Sequence, residues 1–452
     1  MQSLYCTRCW IGSRQVSNVT FISKIVERVV AQQLHEYLTA NDLLPHNQSA
    51  YRRQHSAETV MLRVMSDTLA EADEQRVTLL GLLDLTAAFD CVDRGILLMR
   101  LQRQFGLSNT VLDWMTSFVT GRTQQVAYNG QLSPILPVPY GVPQGSVLGP
   151  LLFVLYTAEL HDVVSKHGLI LHQYADDCQV YVSTSTSDVH LTIDRFSSCM
   201  VDVNDWFSAS RLRLNPSKTQ VLWLGPKYGI SRLTVREIPV VTASVQVSDS
   251  ARVLGVIVDS QLSMADQVSS LCRSAYYQLR QLRPTVRAMT VDAAKTIVQA
   301  FISTRLDYCN SLLFGVTDNL LQRLQSVQNA AARMITRTRR YEHITPVLRE
   351  LHWLPVRQRV NFKLAVLVYK ALHGQLPQYL CDDCQRVSDI GRRSSRSADV
   401  LTCSVPRTRT RLGDRSFAVV GPRLWNSLPS ALRDDDISFP QFKRLLKTLW
   451  FE

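Results

Sequence analysis

The chain has 452 residues, 46% of them hydrophobic and 19% charged, which fits two or three domains with substantial cores and excludes a disordered tail. Fifty Lys and Arg against 38 Asp and Glu give a formal charge of +12, and no apolar run approaches the ~20 residues that span a bilayer. The charge is uneven: residues 321–371 hold ten Lys/Arg against Glu342 and Glu350, and a second basic run extends from Arg392 to Arg415. Such concentration points to a polyanionic partner about as strongly as to a solvated helix face. Ten cysteines lie mostly inside apolar segments, as in a reduced intracellular protein. Cys6/Cys9 and Cys381/Cys384 have ligand-like spacing, but neither pair has a second pair near it in sequence, so a zinc site would have to form between the two ends and the sequence does not decide it. No signal-peptide pattern is present at the N-terminus. The chain is expected to be soluble and intracellular, cytoplasmic or nuclear.

Residues 21–40 set Ile22, Ile25, Val26, Val29, Val30 and Leu34 on one stripe, which predicts an amphipathic helix ended by Asn41, Asp42 and Pro45. A second helix is predicted from Ala57 to Ala70. The run VTLLGLLDL (77–85) is nearly unbroken in its apolar character and short for a helix. It predicts a strand buried on both faces, ending at Asp84. Helices follow around 94–105 and 110–119, then an alternating strand near 123–129. YGVPQGSVLGPLLFVLYTAEL (140–160) reads as a Gly/Pro turn running into an apolar helix, and LILHQYADDCQVYVS (169–183) as a hairpin with an acidic pair at its turn. Val189, Ile193, Phe196, Met200, Val203 and Phe207 recur at spacings of four and three, a core-facing helix. Short strands are predicted at 219–224, 240–247 and 253–258. From about 264 the texture is helical, with loops at 315–318 and 375–385. Beyond 385 little periodicity returns until an amphipathic helix at 440–451. The expected fold class is α+β, mixed up to about residue 258 and all-helical after it.

Three carboxylates stand at strand ends: Asp84 after a buried strand, and Asp176 and Asp177 at the hairpin turn. Aspartate is a poor strand residue and costly to bury, so three of them in apolar surroundings call for a compensating charge. Two Mg²⁺ ions would supply it and would suit phosphoryl transfer. Each aspartate taken singly is better read as a turn residue facing water.

The flanking residues shift that balance. YADD (174–177) resembles motif C of reverse transcriptases, LLDLTAAFDCVD (82–93) motif A, and YGVPQGSVLGPLLF (140–153) motif B, in the family's order. WFSASRLRLNPSKTQVLWLG (206–225) is similar to motif D and ARVLGVIVDSQLSM (251–264) to the motif E primer grip. Their wording resembles LINE-type non-LTR retrotransposons of the jockey-like superfamily. The likeness runs on through QSAYRRQHSAET (48–59), HITPVLRELHWLPVRQR (343–359) and GPRLWNSLP (421–429).

The resemblance implies a right-hand polymerase fold: fingers and palm over 14–258, a basic helical thumb over 259–385, and a C-terminal region over 386–452. It implies an RNA-directed DNA polymerase with RNA template, DNA primer and deoxynucleoside triphosphates as partners. Asp84 and Asp176 would ligate two Mg²⁺ ions, the Leu85 carbonyl helping and Asp177 assisting. Phe89 would be the steric gate, and Gln144 and Gly145 would lie near the incoming nucleotide, with Gly141 and Gly149 easing backbone approach to nucleic acid. Lys218 would neutralise or protonate the leaving pyrophosphate. Arg14-Gln15-Val16-Ser17 stands where the family has Arg-Pro-(Ile/Val)-Ser, and in that register Arg14 would grip the triphosphate. Asp93 reads as an N-cap instead. Residues 1–13 match nothing and no endonuclease is present, so the chain resembles a 5′-truncated element copy. Two other readings stand beside the polymerase: a catalytically silent nucleic-acid-binding remnant, and an RNA-dependent RNA polymerase, disfavoured by YADD and Phe89.

Overall fold

The computed structural model describes residues 20–86, 88–143, 145–388 and 401–451. Along the chain, α1 (Phe21–Ala40) and α2 (Ala57–Asp73) precede β1 (Val77–Leu83), and α3 (Arg94–Arg103) and α4 (Asn109–Val119) follow it. Four two-residue strands come next: β2 (Thr123–Gln124), β3 (Ala127–Tyr128), β4 (Gln131–Leu132) and β5 (Leu136–Pro137). Then come α5 (Gly149–Tyr156), α6 (Leu160–Ser165), β6 (Ile170–Tyr174), β7 (Asp177–Thr184), α7 (Val189–Ala209), β8 (Gln220–Leu224) and α8 (Lys227–Ser231). Two hairpins, β9 (Glu237–Val240) with β10 (Ala243–Gln246) and β11 (Ser250–Val253) with β12 (Val256–Asp259), close the strand-bearing part. The rest is helical: α9 (Ala265–Arg287), α10 (Val291–Val298), α11 (Thr304–Asp307), α12 (Asp318–Thr336), α13 (Ile344–Glu350), α14 (Val356–Leu372), α15 (Gln378–Cys381), α16 (Phe417–Asn426) and α17 (Phe439–Leu449). The expected α+β class is the one observed.

The largest sheet orders its strands β6-β7-β1-β8. β1 is interior to it, which explains its unbroken apolar run: six of its seven residues are buried, leaving only Leu82 part-exposed. Its pairing with β8 is antiparallel, from Thr78 opposite Leu224 to Leu82 opposite Gln220.

The chain resolves into two compact units. The first comprises residues up to Tyr51, Leu83–Cys178 and Phe196–Lys218; the second comprises Arg52–Leu82, Gln179–Arg195 and Thr219 onward. The first is built around α5, whose Leu151–Tyr156 are all buried, with Leu97, Leu101, Met115, Phe196, Val203 and Phe207 also in its core. Arg100 is buried there, and its two terminal nitrogens are engaged. It donates to the Tyr156 carbonyl at 2.6 Å and Ser210 Oγ at 2.7 Å and pairs with Glu159 at 3.2 Å, partners that offset the cost of burying a guanidinium. In the second unit, Tyr369 of α14 stacks on Phe442 of α17 at 4.6 Å and donates to the Ile437 carbonyl at 2.7 Å. Trp425 Nε1 donates to the Leu401 carbonyl at 3.0 Å, which ties α16 into the same core.

Several expectations change. The apolar stripe of α1 is exposed at Ile22, Ile25, Val26 and Val29, whereas Glu27, Leu34 and Leu38 are buried. The strand near 123–129 is instead part of two nested two-residue pairings, β3–β4 inside β2–β5. The strand expected at 240–247 is a hairpin, because Val241 turns at φ 56°, and 253–258 spans another around Leu254 and Gly255, both at positive φ. α16 lies where no periodicity was expected, since Gly421 and Pro422 sit inside it and ordinarily break a helix. The Val368 side chain packs against the bare Gly421, a closeness that α14 and α16 owe to that glycine.

The basic excess at 321–371 is largely engaged within the second unit. Arg357, Arg359 and Lys363 pair with Asp318, Asp307 and Glu58. Arg323, Arg333, Arg337 and Arg349 donate to Ser269 Oγ and to the carbonyls of Glu342, Arg287 and Phe451.

Candidate active site

Asp84 is the residue at which β1 stops. Its backbone carbonyl accepts from Asn215 N at 3.0 Å, and Thr86 N donates to the Arg213 carbonyl at 3.1 Å, so residues 213–215 lie alongside the exit from the strand. Leu85, in the same stretch, bridges Leu214. The turn closed by Lys218 N donating to the Asn215 carbonyl (3.2 Å) brings the Lys218 ammonium to 3.4 Å from Asp84 Oδ2. That oxygen is sheltered from solvent and accepts no hydrogen bond. A carboxylate oxygen left this way retains only a point charge as partner, where a structural carboxylate normally collects several donors.

The Asp176–Asp177 turn lies between β6 and β7, and Asp177 is the first residue of β7. Ala175, just before the pair, sits in the left-handed region at φ 60°, a conformation a Cβ-bearing residue disfavours. It is held from behind. Residues 47–49 run parallel to β6, Ser49 N donating to the Gln173 carbonyl and Gln173 N to the Asn47 carbonyl, each at 2.9 Å. The buried Gln48 Oε1 accepts from Ala175 N at 3.4 Å. Thr78 Oγ1, near the start of β1, lies 2.8 Å from Ser183 Oγ, near the end of β7, the strand beside it in the sheet. Cys178, next after Asp177, is fully buried, and burial pushes its thiol up to about 12, which keeps it neutral and unsuited to nucleophilic chemistry.

Phe89 stacks on the buried Phe153 of α5, ring centroids 4.4 Å apart. The same segment zips to the glycine-rich loop: Val142 N donates to the Phe89 carbonyl at 3.0 Å and Gly141 N to the Val92 carbonyl at 2.8 Å. Gly141 has φ 85°, and a Cβ there would press on the Asp90 backbone. At Gly149 a Cβ would collide with Ser146 Oγ. Both glycines thus serve close packing within the chain, whereas Gly145, at φ 88°, is exposed at the loop's tip. Asp93 is the N-cap of α3, accepting from Ile96 N at 3.0 Å, as its position predicted.

Asp84, Lys218, Asp176 and Asp177, with Leu85, Phe89 and Gly145, all belong to the first unit. Arg14 and Gln144 lie outside the described residues. Among the described residues no three His, Cys, Asp or Glu side chains converge as a ready metal cluster. Two positions that contact this region through the backbone escaped the sequence reading, Glu27 and Gln48. For Glu27 a signal existed: it shares the spacing of Leu34 and Leu38, the residues α1 does bury.

Fold and site together define an α+β protein with an acidic centre at the ends of its sheet strands. Residues 11–258 match the family "Reverse transcriptase (RNA-dependent DNA polymerase)", and the chain belongs to that family. It is 24% identical over 77% of its length to a probable RNA-directed DNA polymerase from transposon BS of Drosophila melanogaster, of which it covers 39%. It is 26% identical, over 77% of its length and 38% of the relative's, to the corresponding X-element polymerase, also from Drosophila melanogaster. The polymerase of mobile element jockey from that organism is 29% identical over 45% of this chain and 22% of the relative. These relatives are the non-LTR retrotransposons that the motifs resemble, and the chain spans about two-fifths of the first two. Among solved structures it is similar to apo telomerase from Candida tropicalis, at 12% identity and TM-score 0.42, over 75% of this chain and 55% of that one. The RNA-dependent RNA polymerase of a human picobirnavirus matches at 14% identity and TM-score 0.35, over 71% and 54%.

Proposed function

We propose that the chain is an RNA-directed DNA polymerase of a LINE-type non-LTR retrotransposon, extending a DNA primer on an RNA template with deoxynucleoside triphosphates. The observation that carries this reading is the under-satisfied Asp84 carboxylate beside Lys218, in the same unit as the Asp176–Asp177 turn. Family membership supports it.

Asp84, Asp176, Asp177 and the Leu85 carbonyl offer hard oxygen donors, and the sheltered Asp84 Oδ2 has room in its bonding for a cation, so the residues fit magnesium. Two Mg²⁺ ions bound there would stabilise the attacking and leaving oxygens of the transfer. The protein's own part is orientation and charge. Backbone contacts with residues 213–215 hold the exit from β1 at Asp84, and Ala175 fixes the turn that presents Asp176. Lys218 is within reach of the same centre and would neutralise charge on departing pyrophosphate. Phe89, braced by Phe153, would crowd a ribose 2′-hydroxyl and favour deoxynucleotides. Gln144 and Gly145 would meet the nucleotide, and Arg14 would hold its triphosphate. Residues 14–258 would act as fingers and palm, 259–385 as a thumb gripping duplex through phosphates, and 386–452 as a C-terminal region. No helix among the described residues is long and apolar enough to cross a membrane, and a cytoplasmic or nuclear setting suits these substrates.

The test is incorporation of dTTP on poly(rA)/oligo(dT) with Mg²⁺ by the purified chain. Incorporation lost in Asp84→Ala supports the enzyme. Template binding with no incorporation, at any divalent metal, would favour a silent nucleic-acid-binding remnant.

A further inference from the structure

The burial of Glu27 in α1 is unexpected on hydrophobic grounds. The helix leaves Ile22, Ile25, Val26 and Val29 exposed while Glu27 is 1% exposed. Burying a carboxylate costs several kcal/mol unless donors satisfy it. Here they do: Oε2 accepts from Val147 N at 2.6 Å and Leu148 N at 3.1 Å, and Oε1 accepts from Ser23 Oγ at 3.1 Å. Leu148 is the N-cap position of α5 and has no side-chain oxygen to cap the helix. Glu27 supplies that cap from 120 residues away, with its negative charge at the positive end of the helix.

The loop in front of α5 is therefore held at both ends. Its start is fixed by Gly141 and Val142 on the carbonyls of Val92 and Phe89, and by Arg94, whose Nε and Nη2 donate to the Gly141 and Tyr140 carbonyls at 3.3 Å. Its end is fixed by Glu27, and by Ser146 Oγ, which donates to the Pro143 carbonyl at 2.7 Å and accepts from Gly149 N at 2.9 Å. The exposed tip at Gly145 hangs between these anchors.

We infer that Glu27 is a positioning residue for the nucleotide-contacting loop: it fixes the loop's rear end and so the tip that would meet the incoming deoxynucleotide. This rests on the polymerase reading for what the loop does, but not for how the loop is held. The loss of Glu27 should weaken nucleotide binding more than it slows the chemical step, because the carboxylates of the acidic turn are held by other contacts.

One-nucleotide addition of dTTP is measured on the full chain as wild type, Glu27→Gln and Glu27→Ala, with hydrogen–deuterium exchange on the same preparations. A dTTP KM raised about tenfold in Glu27→Ala, with kcat changed less than about threefold and Glu27→Gln in between, supports the inference. An unchanged KM, or a loss confined to kcat, overturns it. Wild-type chain that adds no nucleotide counts against the polymerase reading alone, and exchange then decides. Slow exchange of the peptide covering 145–149 in wild type and faster exchange in the variants, with α4 unaltered, supports the anchor; equal exchange overturns it. Should Glu27→Ala fail to fold, wild type against Glu27→Gln carries both measurements, with a smaller change expected in the same direction.

Discussion

Asp73 and Asp84 flank β1, one just before it and one just after, and the fold treats them in opposite ways. Asp73, in the second unit, is 6% exposed and accepts from Arg409 N, from Thr410 N at 2.6 Å and from Thr410 Oγ1 at 2.7 Å, while Gly413 packs directly against it. Asp84, in the first unit, has a sheltered oxygen that accepts no hydrogen bond and meets the Lys218 ammonium at 3.4 Å. The same contrast separates Glu58, which takes Ser311 Oγ at 2.6 Å and Lys363 Nζ at 3.0 Å. Asp73 and Glu58, which tie together segments of the second unit, are saturated by donors. The carboxylate at the centre of the proposed chemistry is held by its backbone and leaves its side chain available.

The widest gap between the two kinds of acid should appear in stability. Asp73→Ala is expected to cost about 3 kcal/mol in urea denaturation, since it strands two backbone N–H groups and a hydroxyl. A loss below about 1 kcal/mol would break the contrast. Burial alone would raise the Asp73 pKa, but the hydrogen bonds from Thr410 and Arg409 outweigh burial and hold it below the ordinary carboxylate value. Its contribution is thus present above that ordinary value and lost as pH falls through the depressed folded pKa.

An acid of the second unit sharpens the rule by failing it. Asp383 lies 3.8 Å from Arg63, which also pairs with Asp67 at 3.2 Å, and Asp383 Oδ2 is buried without a hydrogen bond. Burial pushes its pKa up to about 7, Arg63 opposing and Asp67 adding to the rise. The folded state therefore holds a proton that the unfolded state releases, and stability falls as pH rises from the ordinary carboxylate range toward 7. Asp383→Asn should raise the thermal midpoint at pH 8 and leave it nearly unchanged at pH 4. Equal shifts at both pH values would contradict this assignment.

The smallest effect concerns the acidic turn. Ala175→Gly relieves a left-handed residue and should stabilise by about 0.5–1 kcal/mol. Destabilisation in thermal melts would mean that the Ala175 side chain matters more than its backbone angle.

The elements that carry the candidate site were legible in the sequence because strand ends and hairpin turns follow from local pattern. The run before Asp84 reads as an interior strand, and Tyr174 to Asp177 as a hairpin turn, and both form as expected. Lys218 came from motif resemblance, and its pairing with Asp84 depends on backbone contacts at 213–215 that no local pattern encodes. Glu27 and Gln48 were missed for the same reason: each acts on a segment more than a hundred residues away. The exposed stripe of α1 misled because amphipathicity reports which face is apolar, not which face the rest of the chain covers. α16 was hidden by Pro422, tolerated because tertiary packing around Trp425 and Phe417 outweighs the lost helical bond.

The most direct measurement is one-nucleotide primer extension by Asp176→Asn and wild type at matched template–primer occupancy, with Mg²⁺. The expected result is a fall of at least about 10³-fold in extension, with duplex binding and thermal midpoint essentially unchanged. Extension retained within tenfold of wild type would contradict the account, because the acidic turn would then be no more than a turn.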